Sequence, residues 1–74
     1  GIYEASIGYL DTYPEDLTVA QASLLAGIPQ SPSNYDLVYH FEAAKQKQLS
    51  VLRAMAECGY ISESDINAYY NASV

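Results

Sequence analysis

Few side chains in this sequence combine type and spacing in a way that suits chemistry. His40 is the sole histidine and Cys58 the sole cysteine. No Ser, Cys or acid stands at a spacing from His40 that would make a nucleophile and its base. His40 therefore reads as a surface or helix-start residue, and Cys58 as a small buried or helix-end residue. Glu15 and Asp16 are adjacent acids, but acid–base or metal chemistry needs further ligands, and no His or Cys lies nearby. They read as solvated acids ahead of a helix, where they favour its macrodipole. Lys45, Lys47 and Arg53 form the one local basic cluster in a chain of net charge −6. Arg53 is expected to pair with Glu57 one helical turn on, a contact worth about 0.3–0.5 kcal/mol. The remaining polar candidates, Gln30, Ser31 and Ser33, sit in a proline-rich stretch.

The elements that must position these groups centre on residues 17–35, LTVAQASLLAGIPQSPSNY. Thr18 can cap a helix with its hydroxyl while Gln21 reaches back to the Thr18 N–H. The helix body, residues 19–26, is almost wholly apolar or small, so it belongs inside something larger. Gly27 is expected to stop it in a left-handed conformation, and Pro29 forbids continuation. Pro32 pushes Ser31, as Pro29 pushes Ile28, towards extended geometry. The expected result is a stiff turn that presents Gln30, Ser31 and Ser33 from a buried helix.

On either side the pattern is helical. Residues 1–10 place Ile2, Ala5, Ser6, Tyr9 and Leu10 on one stripe, and residues 11–16 form a turn around Pro14. Residues 34–40 read as a connector in which Asp36 can initiate a turn. The longest helix is expected over residues 41–58. Phe41, Ala44, Val51, Leu52, Met55 and Ala56 mark its buried face, Lys45, Gln46 and Glu57 point outward, and Gly59 ends it. Ser62 with Asp65 caps a last helix, whose Ile66, Tyr69 and Tyr70 face back onto the long one. The fold class is all-α with about four helices.

Seventy-four residues make at most one small domain. Eight tyrosines against one phenylalanine and no tryptophan make its apolar half amphipathic, suited to internal interfaces in a larger parent. The acidic balance argues against nucleic acid as a partner and disfavours anionic headgroups. No apolar run approaches the roughly 18 residues of a membrane span, and no signal peptide is evident. The opening Gly-Ile suggests a piece of a longer chain, which could self-associate through surface left uncovered.

The run LAGIPQSPSNY, residues 25–35, resembles the LAGLPQAPSxYNP segment of the peptidoglycan glycosyltransferase (transglycosylase) domain of class A penicillin-binding proteins, with close agreement over residues 24–35. Residues 1–10 are similar to that family's GIxxAAxxYFGK helix, with Ser6 for Ala, Leu10 for Phe and Asp11 for Gly. The stretch KQLSVLRAM, residues 47–55, resembles RRxxVLxxM, with Lys47 and Gln48 replacing two arginines, and GYISESDI resembles the GxIT-E-E continuation. An arginine fork binds phosphate oxygens in a bidentate way, whereas lysine offers a point charge and glutamine none.

The resemblance implies a lysozyme-like, mainly helical domain of which residues 1–74 are the C-terminal portion. It implies polymerisation of lipid-linked disaccharide-peptide into glycan strands, with a polyprenyl pyrophosphate leaving, at the outer face of the bacterial cytoplasmic membrane. The family's glutamates lie in E-D-x-x-F-x-x-H and R-K-x-x-E runs that this chain lacks, so no catalytic residue is carried over and the chain alone is expected to be inactive. No cofactor is expected in the chain, although a divalent metal is possible in the parent enzyme. Expected partners are the lipid-linked peptidoglycan precursor and the remainder of the parent domain. Substrate-binding candidates are Gln30, at the polar position of the turn, Lys47, where a cation would face the pyrophosphate, and Ser33. Each has a plainer reading: Gln30 as a helix-end cap, Lys47 as a solvated lysine, Ser33 as a partner of the turn's own backbone. Two other readings compete: an inactive relative, and a self-contained acidic module that binds a protein through its tyrosines.

Overall fold

A computed structural model describes residues 1–29 and 34–74. Among them are four α-helices, two short 3-10 turns and no strand, so the chain is all-α. Helix α1 spans Ile2–Leu10, α2 Val19–Leu25, α3 Leu37–Glu57 and α4 Ile66–Asn71. The short α2 packs between α1 and α3, and α4 lies back along α3. Leu24, Leu25, Ile28 and Ala44 form the buried centre, with Ala5, Tyr9, Leu10, Leu17 and Leu37 closing around it.

Helix α1 ends on Asp11, which adopts the left-handed conformation at φ 51° and ψ 44°. The N–H of Thr12 then reaches back to the carbonyl of Ser6 at 3.1 Å. This is the position at which the resembled motif carries glycine, and a left-handed C-cap is the physical reason for that preference. Ser6 itself is fully buried, its hydroxyl donating to the Tyr3 carbonyl at 3.0 Å.

Helix α2 opens with both arms of its capping box in place. The Thr18 Oγ1 accepts from the Gln21 N–H at 3.1 Å, and the Gln21 Oε1 accepts from the Thr18 N–H at 3.0 Å. Its end departs from expectation. Gly27 is not left-handed, since Gly59 is the glycine with positive φ among the described residues. The last turn of α2 tightens instead, with the N–H groups of Gly27 and Ile28 bonding the carbonyls of Leu24 and Leu25. What residue 27 requires is space. A Cβ there would stand 2.8 Å from the Cβ of Lys47 and 2.9 Å from the carbonyl oxygen of Ala44.

Helix α3 begins at Leu37, not at residue 41. The Asp36 Oδ1 caps it by accepting from the Val38 N–H at 3.0 Å, and the Asp36 N–H donates to Asn34 Oδ1 at 2.8 Å. Val38, Tyr39 and His40 have little intrinsic helical preference, so the cap and the packing of Leu37 carry the first turn. The proline that the resembled motif has at position 37 would occupy the first helical residue, where proline fits. At the other end, Gly59 at φ 82° follows Cys58, and the N–H of Tyr60 bonds the Met55 carbonyl at 2.9 Å, the Schellman closure.

The buried stripe of α3 is Ala44, Gln48 and Leu52, while Phe41 is exposed and Val51, Met55 and Ala56 are half-buried. Lys45 does not point outward. Its ammonium donates to the Tyr70 carbonyl and lies 3.8 Å from the centre of the Tyr70 ring, tying α4 to α3. Burial lowers its pKa accordingly. Ser62 precedes and Asp65 ends the 3-10 turn Glu63–Asp65 that runs directly into α4, with the Asp65 carboxylate accepting from the Ser62 N–H at 3.4 Å. Arg53 and Glu57 are both exposed and form no ion pair; the one ion pair among the described residues joins the Gly1 amine to Glu4.

Two substitutions separate these glycine-related constraints. Asp11→Gly removes left-handed strain and should raise stability by about 0.5–1 kcal/mol after the added chain entropy is subtracted. Gly27→Ala drives a methyl into the α3 backbone and should lower stability by about 1–3 kcal/mol. Urea unfolding of the two variants reads both signs; destabilisation by Asp11→Gly, or tolerance of Gly27→Ala, would contradict the respective packing.

Candidate functional site

Gln30 and Ser33 lie outside the described residues, but the structure defines both ends of the segment that carries them. At its start, Gly27 presses against α3 between Ala44 and Lys47. Lys47 is exposed, so a cation stands where the segment leaves α2. Lys47 and the start of the segment are thus neighbours in space although 20 positions apart in sequence. At the segment's other end, the Asn34 carbonyl meets the Tyr9 hydroxyl at 3.2 Å and the His40 Nε2 at 3.0 Å. The Tyr35 ring lies on α1 over Gly8, where a Cβ would stand only 2.4 Å from it.

Position 48, next to the exposed lysine, faces the interior. Gln48 is fully buried, and its Nε2 donates to the Ala20 carbonyl and to the Ser23 Oγ, each at 3.1 Å. The orientation of the amide follows from chemistry. The Ser23 hydroxyl donates to the same Ala20 carbonyl at 3.1 Å, so both groups facing Gln48 are acceptors and only an NH₂ can serve them. The Oε1 is then left buried without a partner among the described residues. The two positions at which the resembled motif has arginine therefore differ: residue 47 looks out beside Gly27, and residue 48 ties α3 to α2. Spacing could have revealed this, since residue 48 falls midway along the buried stripe from Ala44 to Leu52; its polar type concealed it.

Between the start of α1 and the end of α2 lies a groove of about 410 Å³. Ile2, Ala5, Leu25, Ile28, Pro29 and Tyr35 give it a mainly apolar lining. The described residues thus offer an apolar groove between α1 and α2 and, at the contact of α2 with α3, one exposed lysine. Glu4, Glu15, Glu42, Glu57 and Glu63 are all exposed. Among the described residues no three His, Cys, Asp or Glu side chains gather as metal ligands. Cys58 is an exposed residue at the C-terminal cap of α3.

Sequence reasoning missed Tyr9 and His40 as partners of Asn34, and Gly8 as the seat of Tyr35. No local signal marks contacts between residues 25 or more positions apart, such as Tyr9 with Asn34; His40, six positions from Asn34, is brought back to it by the first turn of α3.

Comparison with known proteins identifies the family. The transglycosylase family model matches residues 1–56. Penicillin-binding protein 1A of Streptococcus oralis is 35% identical over all 74 residues, which cover 12% of its own length. Penicillin-binding protein 1F of Bacillus subtilis is 37% identical over 65 residues, 88% of the chain and 9% of its own length. Penicillin-binding protein 2D of the same organism is 40% identical over 63 residues, 85% of the chain and 9% of its own length. The chain thus spans about a tenth of the length of the curated relatives it matches. With the family model covering three quarters of the chain, and with glycine, cap and stripe positions explained by its helices, the chain belongs to the transglycosylase family.

Proposed function

We propose that residues 1–74 are the C-terminal portion of the transglycosylase domain of a peptidoglycan glycosyltransferase, and that they form one wall of its substrate cleft. The parent polymerises lipid-linked disaccharide-peptide into glycan strands. An acceptor sugar hydroxyl attacks the donor's anomeric carbon as the polyprenyl pyrophosphate departs. Lys47, Gln30 and Ser33 hold the donor: the ammonium offers a charge to the pyrophosphate oxygens, and the amide and hydroxyl offer neutral hydrogen bonds. The glutamate that takes the hydroxyl proton belongs to another part of the parent. The observation that supports this reading is the exposed Lys47 beside Gly27 at the end of α2, where a Cβ on the glycine would stand 2.8 Å from the Lys47 Cβ.

A divalent metal used by the parent would need ligands that the described residues do not gather, and no step is assigned to it. The parent works at the outer face of the bacterial cytoplasmic membrane, where its substrate is anchored. Among the described residues no helix is long and apolar enough to cross a membrane. The remainder of the domain covers the apolar surface at the start of α3, where Val38 is 83% exposed beside Tyr39 and Phe41.

In the parent enzyme, Gln30→Ala and Lys47→Ala should each weaken binding of lipid-linked substrate by about 1.5–3 kcal/mol, roughly ten- to a hundredfold. Gln48→Leu is the control. It should lower stability by about 1–3 kcal/mol through the lost bonds to α2 while leaving affinity within about threefold. Unchanged affinity in both Gln30→Ala and Lys47→Ala, with folding intact, would sink the cleft reading. The isolated chain should also sediment as dimers or larger species at concentrations where Val38→Lys keeps it monomeric; a wild-type monomer would count against the uncovered surface at α3.

A further inference from the structure

We propose that α4 is a strap, hinged at Gly59 and latched by Lys45, that opens away from α3 as a unit while α1–α3 stay folded. The hinge lies where the chain turns back after α3. Gly59 holds a left-handed φ of 82°, and an added Cβ there would meet nothing within 4 Å. Residues 59, 60 and 62–64 are exposed, so little packing opposes rotation about this point.

Helix α4 packs on α3 and reaches α2, but it has little of its own to keep it there. At six residues it is far shorter than the roughly 12–15 that an isolated helix needs in water. Ile66 is its one buried residue, at the end nearer the hinge. Tyr69 and Tyr70 are half-buried, while Asn67, Ala68 and Asn71 are exposed. At the far end the helix stops on Ala72 in an extended conformation, without the glycine closure that finishes α3. The Tyr70 carbonyl is one of the last four of the helix, which have no partner inside it. Lys45 supplies the partner from α3. Its ammonium donates to that carbonyl and stands 3.8 Å from the centre of the Tyr70 ring. One cation thereby satisfies an orphan acceptor, meets the negative end of the helix dipole and lies over a π-face. No carboxylate among the described residues pairs with Lys45, so its charge is committed to α4. A neutral side chain of similar length would leave Ile66 and the flanks of two tyrosines as the only anchors.

Hydrogen exchange of the full-length parent protein, read peptide by peptide, tests the latch. Lys45→Met keeps the apolar stem and removes the charge. It should speed exchange over residues 66–72 about tenfold to a hundredfold, with α1–α3 within about twofold of the wild type. Lys45→Arg keeps a cation and its donors and should stay within about threefold of the wild type over the same residues. Unchanged exchange over residues 66–72 in Lys45→Met would overturn the latch, and so would an equally large rise in Lys45→Arg. A rise spread evenly through α1–α3 would overturn the strap, because Lys45 would then be holding the whole fold.

Discussion

The close approach of α2 to α3 governs most of what is distinctive in this chain. At Gly27 the two backbones come so near that a single Cβ would meet the Ala44 carbonyl at 2.9 Å. Helices approach this closely only where one of them lacks a side chain at the contact, and the gain is dispersion between groups that would otherwise be held apart. Ala44, fully buried on the facing turn, keeps the other surface equally low. Leu24 and Leu25 can then bury against the same stretch of α3, and the stretch that follows α2 emerges beside Lys47. A larger residue at position 27 would move all of these together, because α2, at seven residues, is too short to bend around an obstruction.

The same contact explains how an apparent loss of charge is tolerated. Glutamine in place of arginine at position 48 would be a serious defect if that side chain faced a phosphate. It faces Ala20 and Ser23 instead, where two acceptors need a donor and no counter-charge is at hand. A guanidinium in such surroundings requires a partner that can neutralise it, since an unpaired buried cation costs far more than a buried amide. The amide serves both acceptors and leaves a single unpartnered oxygen, a penalty of about 1–3 kcal/mol. Lys47, on the surface one residue earlier, retains its charge where a ligand can reach it.

Features whose cause lies within three or four residues could be read from the sequence. The Thr18–Gln21 box, the Gly59 closure and the Ser62–Asp65 pair all appear where their residue types place them. So does the helical architecture, because apolar spacing reports it directly. Features decided by another helix could not be read in this way. Gly27 carries the type of a left-handed cap, yet a neighbouring backbone is what requires it. Lys45 has the type of a solvent-facing residue, yet Tyr70, 25 positions away, gives its charge both a ring face and a carbonyl. The first turn of α3 has the composition of a connector and becomes helical because Asp36 caps it and Leu37 packs inward. The candidate site divides along the same line. Lys47 was singled out as a candidate through the motif resemblance, whereas the contacts of Tyr9 with Asn34 and of Gly8 with Tyr35 became visible only once α1 met the start of α3.

One tension remains between composition and proposed role, and electrostatics resolves it. A chain of net charge −6 is an unpromising host for a pyrophosphate if charge is averaged over the molecule. At physiological salt, however, exposed charges more than about 8 Å apart are largely screened from one another. Distant acids such as Glu15 or Glu63 therefore matter less to a bound phosphate than the single lysine beside it. Yet one ammonium cannot neutralise a diphosphate, and Arg53 lies nearly two turns further along α3. On the proposed reading, the remaining cations must approach from the opposite wall of the cleft. This chain then supplies a rigid frame, an apolar groove and one charge, a combination that gains catalytic meaning only when the rest of the domain closes over it.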